Sequence, residues 1–411
     1  MRVLVVDEEI PYPLNSGKRL RTFNLLKPLA ARHDLTFVCR RHENLEANTA
    51  AALEAAGIRT EVVPDPIPRK QGGRFYLALL ANLFSRYPYT VTSHHSASLV
   101  HRIGNLCREK SFDLIHCEWT PYAINLQPWL GNLPTLVDAH NIEAMIWRRN
   151  FQVESNLAKK AFIYFQWKKM AAFERRFFPK FSRCVAVSAQ DAQCIAQWAG
   201  EDRVDVVANG VDLAYFTRKE PHSATAGSNR NLVFTGSLDW RPNVDGLLYF
   251  LDHIFPLILS RYPVATLTIV GRNPMPVLQQ KVATMNNVTL TGTVDDVRPY
   301  METAAVYVVP LRVGGGSRLK ILEALAMEMP VVSTTIGAEG LDVTHQGDIV
   351  LADSPEDFVA AVASVYEDKG KARTLGAAGR RLVAEHYQWQ ALAQRLENNW
   401  HRAVKASISS K

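Results

Sequence analysis

The feature that most constrains this chain is an alternation of short β-branched runs with longer helical patterns, which begins at the N-terminus, breaks off, and then begins again. The first set of runs lies at residues 2–6, 35–38, 114–117, 135–138, 184–188 and 204–208. Such runs, separated by helix-length segments, predict parallel βα units. A polar stretch at 219–231, with Ser223, Thr225, Gly227, Ser228 and Asn229, reads as a linker. The pattern then resumes, with strands expected at 232–235, 266–270, 288–291, 306–309 and 331–333. A length of 411 residues suits two domains of roughly 200 residues each better than one core. The expected architecture is α/β, two doubly wound sheets: a domain at 1–212, a linker at 213–230, a domain at 231–385 and a closing helix within 386–411. Leu392, Leu396 and Trp400 recur at four-residue spacing in that last segment, so its helix is expected to pack back toward the first domain. Two open parallel sheets joined in this way are expected to face a central cleft at the carboxyl ends of their strands, where ligands of such sheets bind.

Composition removes several classes. Hydrophobic content of 47% with 21% charged residues describes a globular chain. The apolar stretch at residues 3–6 is too short for a leader core and reads as a first strand. The nearest approach to a membrane-spanning run, residues 75–84, is about half the length required, so any membrane contact is expected to be peripheral. Cys39, Cys107, Cys117, Cys184 and Cys194 form no CxxC pair or Cys/His ligand spacing, which points to a reducing cytoplasm and to no metal site. The net charge of +7 is uneven: residues 1–212 hold 27 Lys/Arg against 21 Asp/Glu, leaving +1 for the rest. Within residues 147–183, ten Lys/Arg interleaved with aromatic residues face only Glu154 and Glu174. That segment reads either as a pair of amphipathic helices with solvated charges or as a docking face, for anionic lipid headgroups at the inner side of a membrane or for a lipid-phosphate acceptor. No basic stripe or binding module elsewhere points to nucleic acid.

Chemistry is expected in the loops that follow strands. The most informative runs Val308-Val309-Pro310-Leu311-Arg312-Val313-Gly314-Gly315-Gly316-Ser317-Arg318-Leu319-Lys320 and continues helically past Glu323. Glycines let backbone N–H groups approach an anion, and a helix start adds partial positive charge, so the segment suits a phosphate. Arg318 and Lys320 bring cations to the same place. Beside such a site the Glu323 carboxylate needs donors of its own, and ribose hydroxyls would serve. The plainer alternative is a flexible loop with a solvated glutamate.

In these residues the chain resembles glycosyltransferase family 4 and its GT-B relatives. Further matching pieces are Asn209-Gly210-Val211-Asp212, Val270-Gly271, residues 288–292 ahead of Thr293-Val294, and Pro330-Val331-Val332. The resemblance implies a GT-B fold of two Rossmann-like domains and a nucleotide-diphosphate sugar as donor substrate, with no cofactor. It implies Glu323 as the ribose ligand, with Gly314, Gly315, Gly316 and Ser317 at the donor phosphates, Val294 near the base and Gly236 in the loop after the first strand of the second domain. Residues 11–17, ending at Gly17, resemble the loop placed over donor phosphate and acceptor, although a plain βα turn fits them equally. His140, in Asp138-Ala139-His140-Asn141-Ile142-Glu143, matches a histidine beneath the transferred sugar; read alone, a lone histidine is more often structural. Glu118 and Trp119 are acceptor candidates, whereas Trp240 and Asn243 read as turn residues.

Two departures stand out. The family places a second glutamate eight residues before the ribose ligand, where this chain has Gly315, and an Arg and a Lys after the first strand of the second domain, where it has Gly236-Ser237. The cationic role is therefore assigned to Arg318 and Lys320, with His140 as the third catalytic candidate. Asp295-Asp296 precedes a helical pattern and makes no DxD metal motif, so metal independence is expected. The resemblance implies retention of configuration; inversion would need a carboxylate base, for which Glu118, Glu8 or Glu9 are candidates. The expected activity is transfer to a glycan or lipid-linked acceptor in bacterial polysaccharide or exopolysaccharide biosynthesis. A nucleotide-sugar epimerase and an inactive nucleotide-sugar-binding subunit stay open as alternatives. No G-x-G-x-x-G follows the first strand, which argues against an NAD enzyme.

Overall fold

The N-terminal apolar run becomes β1 (Arg2–Asp7), in which Val3, Leu4, Val5 and Val6 have no exposed surface. The structure is a computed structural model and describes residues 1–41, 48–68, 71–218, 230–313 and 318–409. Six more strands complete the first sheet: β2 (Asp34–Arg40), β3 (Ile58–Val63), β4 (Leu114–Glu118), β5 (Thr135–Ala139), β6 (Arg183–Ala186) and β7 (Val204–Val206). All pair in parallel in the order β3-β2-β1-β4-β5-β6-β7. Crossover helices cover both faces of such a sheet, so its central strands are buried and mainly apolar. The edge strands depart from this: β7 is half-buried throughout, and β3 carries Arg59, Thr60 and Glu61, none of them fully buried. Those polar residues hide it from a pattern search, and they also blunt the sheet edge.

The second sheet contains β8 (Asn231–Thr235), β9 (Thr266–Val270), β10 (Val288–Leu290), β11 (Val306–Val309), β12 (Val331–Ser333) and β13 (Val350–Leu351). Its order is β10-β9-β8-β11-β12-β13, again all parallel. The two-residue β13 is too short to announce itself in sequence. The chain folds as two units, one of Met1–Ala208 with Gln390–Lys411 and the other of Asn209–Trp389. Residues upstream of the polar stretch already belong to the second unit, where Arg380 donates to the Leu213 and Phe216 carbonyls and Arg298 lies 3.8 Å over the Tyr215 ring.

Strand order reverses between β1 and β4 in the first sheet and between β8 and β11 in the second. At such a switch point the connections leave in opposite directions and open a crevice at the carboxyl ends. Those four ends, with the neighbouring ends of β5 and β9, carry the candidate chemistry.

From Gln390 onward the helix Trp389–Ser409 belongs to the first unit, and it buries Leu392, Leu396, Trp400 and Ala403 completely. Its polar groups reach the sheet as well. Trp400 Nε1 donates to His116 Nδ1 in β4 at 3.0 Å, Arg183 Nε donates to Asn399 at 2.8 Å, and the Glu397 carboxylate sits against Arg32 and His33. Trp400→Ala is expected to cost about 3–5 kcal/mol in urea unfolding through the cavity it leaves. Trp400→Phe, which keeps most of the packing and loses the indole N–H, should cost less, and equal losses would contradict this division.

Candidate functional site

In the first unit the switch-point strands end in a network of buried charge. Glu118, the last residue of β4, has no exposed surface. One of its oxygens accepts from His140 Nε2 at 2.8 Å and from Thr22 Oγ1 at 3.1 Å, and the other lies 3.3 Å from His116 Nε2. An indole N–H can only donate, so the Trp400 bond makes His116 Nδ1 an acceptor and puts that ring's proton on Nε2, facing Glu118. Burial alone would raise the Glu118 pKa, but His116 and His140 outweigh it and hold the carboxyl well below its ordinary range.

Trp119 follows at a φ of 77°. Its indole N–H donates to Glu143 at 2.7 Å, its ring meets His94 edge-on at 5.0 Å, and the Lys18 ammonium lies 5.4 Å above it. Glu118, Trp119 and His140 are thus brought together.

At the end of β1, Asp7 lies 2.7 Å from Lys18, which also reaches Glu8 at 3.2 Å. Gly17 opens the helix Gly17–Ala30 immediately before that lysine, with Ser16 accepting from the Arg19 N–H as its cap. Burial pushes the Asp7 carboxyl up to about 7, with Lys18 opposing and Glu118 adding to the rise. Arg21 grips Asp138 through two nitrogens at 2.8–3.0 Å, and both side chains are buried. Among the described residues, ligand atoms of His116, Glu118 and Asp138 come within 4.8 Å of one another, as a metal site requires. Trp400 answers His116 Nδ1, Thr22 and His140 answer one Glu118 oxygen, and Arg21 grips Asp138, whereas His116 Nε2 and the other Glu118 oxygen, 3.3 Å apart, are buried without a hydrogen-bond partner among the described residues.

In the second unit the loop after β8 begins with Gly236 at a φ of 154°. The space a side chain would fill is occupied: a Cβ there would lie 2.8 Å from Lys320 Nζ and 2.9 Å from Asn243 Nδ2. Lys320 Nζ donates to Asn243 Oδ1 at 2.8 Å and lies 4.1 Å over the Phe234 ring. Asn243 in turn donates to the Ser237 carbonyl at 2.8 Å, so it is a buried bridge rather than the simple turn residue the sequence suggested. At Gly271 a Cβ would fall 1.8 Å from the Gly236 carbonyl oxygen, so no larger residue fits without moving the loop.

Sequence reasoning missed Arg272. It follows β9, and its Nε donates to Ser237 Oγ at 2.8 Å, bringing a cation to the position where Ser237 supplies none. An arginine directly after Val270-Gly271 was the available signal.

Arg318 caps the helix Leu319–Ala326, donates to the Ile336 carbonyl at 2.7 Å and lies 3.5 Å from the Glu339 carboxylate. Glu323 stands on the same helix one turn beyond Lys320. Val294 is half-buried two residues after Gly292, whose carbonyl accepts from the Gly271 N–H. The remaining expected donor ligands, Gly314, Gly315, Gly316 and Ser317, lie outside the described residues.

Burial drives the Lys320 pKa down to about 7, with Arg318 lowering it further and Glu323 opposing. Burial likewise raises the Glu323 pKa to about 7 against the pull of Lys320. The consequences for stability have opposite signs. Between about 7 and 10.5 the unfolded chain holds the Lys320 proton and the native one does not, so this group's contribution rises with pH. Between 4.5 and about 7 the native chain holds the Glu323 proton and the unfolded one does not, so that contribution falls as pH rises. Thermal denaturation of Lys320→Met against pH should lack the alkaline contribution expected of the parent, and identical profiles would refute the assignment.

Residues 17–215 match the family described as Glycosyltransferase Family 4, and residues 229–368 match Glycosyl transferases group 1. A Klebsiella pneumoniae protein described as an uncharacterized 44.6 kDa protein in the cps region is 21% identical, over 94% of this chain and 96% of its own length. A GDP-mannose-dependent alpha-(1-6)-phosphatidylinositol monomannoside mannosyltransferase of Mycobacterium tuberculosis is 32% identical over 34% of this chain and 40% of its own. Among solved structures, Anabaena HepE in complex with UDP and glucose superposes with a TM-score of 0.66 at 17% identity, covering 97% of this chain and 98% of that one. With two doubly wound parallel sheets matched in succession by these two families, the chain is a glycosyltransferase of the GT-B fold, of the family 4 and group 1 kind.

Proposed function

We propose that this glycosyltransferase takes a nucleoside-diphosphate sugar as donor, holds its diphosphate with Lys320 and its ribose with Glu323, and passes the sugar with retention to a glycan or lipid-linked acceptor. The observation that carries the reading is the Gly236–Lys320–Asn243 cluster at the switch point of the second sheet. There the nitrogen of the half-buried Lys320 has a neutral amide as its hydrogen-bond partner, and Glu323 follows one turn later. An arriving diphosphate gives Lys320 an anionic partner, and ribose hydroxyls give Glu323 donors. Negative charge develops on the leaving diphosphate as the glycosidic bond breaks, so a cation fixed in place before the reaction lowers the barrier. Arg318 and Arg272 supply further positive charge in this unit. Gly236 and Gly271 keep the backbone close, and the loop around Val294 takes the base.

In the first unit Glu118 fixes His140 through Nε2, which leaves Nδ1 of that ring for the sugar or the acceptor. Trp119 offers an aromatic face to the acceptor, and Gly17 starts the helix that brings Lys18 to it. Retention is supported by the state of the carboxylates that inversion would call on. Glu118 is bound by His140 and Thr22, Glu8 by Lys18 and His94, and Glu9 by Arg19. Each of these three carboxylates already has a neighbouring donor on it.

Cationic side chains at the diphosphate support a metal-independent reaction. The five cysteines, all free, fit a cytoplasmic setting, and among the described residues no helix is long and apolar enough to cross a membrane. The cps-region relative supports a place in polysaccharide or exopolysaccharide biosynthesis. The relatives and neighbours span UDP and GDP-mannose, so both donor classes belong in the test.

Lys320→Ala is expected to lower kcat roughly 10²–10³-fold with UDP- or GDP-sugars, and an unchanged rate would overturn its role. Anomeric NMR of the product should show the donor's configuration, and turnover should survive a chelator. An inverted product, or activity restored only by divalent metal, would contradict the respective part of the proposal.

A further inference from the structure

The helix Gly73–Asn82 turns much of its apolar surface outward. Phe75 and Leu79 are half-buried and Asn82 is buried, whereas Tyr76, Leu77 and Leu80 are 65%, 67% and 60% exposed, and Phe84, just past the helix, is 95% exposed. Those four recur at spacings that place them on one side of a helix. A single exposed leucine needs no account, but a stripe of four large apolar side chains does.

The stripe is held in place. Asn82 accepts from Gln166 Nε2 at 2.9 Å, and the Asn82 and Leu83 carbonyls accept from Lys169 Nζ at 2.6 and 3.1 Å. It therefore stands beside the middle of the helix Leu157–Phe177, which itself exposes Leu157 at 82% and Phe165 at 52% together with Lys159 and Lys168. Lys168 lies 4.5 Å over the Trp167 ring, a cation seated on an aromatic base.

Negative charge is scarce on this face. Residues 66–108 contain no Asp or Glu. Glu174 on the second helix turns inward, buried, to accept from the backbone N–H groups of Glu143 and Ala144. Large apolar side chains rimmed by lysine match the boundary between anionic headgroups and acyl chains, where the apolar residues leave water and the ammonium groups stay at the phosphates. A second copy of the chain is a poorer occupant, because pairing this face with itself would set lysines against lysines.

We infer that this surface, with Tyr76, Leu77, Leu80 and Phe84 as its inserted side chains and Lys168 as its headgroup contact, docks the protein onto a bilayer containing anionic phospholipid. The inference stands on this face alone and does not depend on the donor-site reading.

Flotation of the full chain with vesicles of phosphatidylcholine, or of phosphatidylcholine with phosphatidylglycerol, tests it. Binding is expected on the anionic vesicles only, and should weaken as salt is raised. Leu80→Ser with Phe84→Ser, at exposed positions where the thermal midpoint should not move, should weaken binding at least about tenfold. Lys168→Glu should reduce the preference for anionic lipid. Equal binding to both vesicle types, full binding by the serine variant, or a solution dimer that the serine substitutions dissociate would each overturn the inference.

Discussion

A charged group leaves water only where other groups answer its charge, and the two units meet that demand in different ways. In the first, the answers come from the protein. Glu118 is held by His140 and Thr22 and faces a His116 that Trp400 fixes from the far end of the sequence, while Asp138 is gripped by Arg21. In the second, Lys320 donates to the neutral amide of Asn243, and burial moves both Lys320 and Glu323 to about 7. The first arrangement fixes an imidazole while leaving Asp7 Oδ2, His116 Nε2 and Glu118 Oε1 buried without a hydrogen-bond partner among the described residues. The second is poised for charge to arrive with a ligand.

This difference follows from topology. Doubly wound sheets make their central strands apolar and push polar side chains to the carboxyl ends, where the connections part at the switch point. Glu118 and His140 occupy two neighbouring ends of the first sheet, and Gly236 and the segment leading to Lys320 occupy two neighbouring ends of the second. The glycines have a steric reason to be there. A side chain at Gly236 would collide with Lys320 and Asn243, and one at Gly271 would collide with the Gly236 carbonyl, so the absence of side chains lets the ammonium lie against the β8 loop.

The central strands were legible because burial on both faces leaves unbroken apolar runs, as in Val3 to Val6. Lys320, Glu323 and His140 were legible because each follows a strand or opens a helix with a recognisable local pattern. Other features were hidden for physical reasons. The polar middle of β3 suits an edge and so breaks the pattern, and β13 is too short to have one. The bonds from Arg21 to Asp138 and from Trp400 to His116 join residues 117 and 284 positions apart, and no local spacing encodes such pairs. Asn243 and Arg272 look ordinary in sequence, and only the convergence of the loops after β8 and β9 makes them neighbours of the site.

The claim that Lys320 receives the donor diphosphate is tested most directly by proton linkage. Titration calorimetry of UDP or GDP at about pH 8 in buffers of different ionisation enthalpy should show uptake of up to about one proton, because burial leaves Lys320 largely neutral until a phosphate restores its charge. Binding whose enthalpy is the same in every buffer, with no proton taken up, would contradict the account.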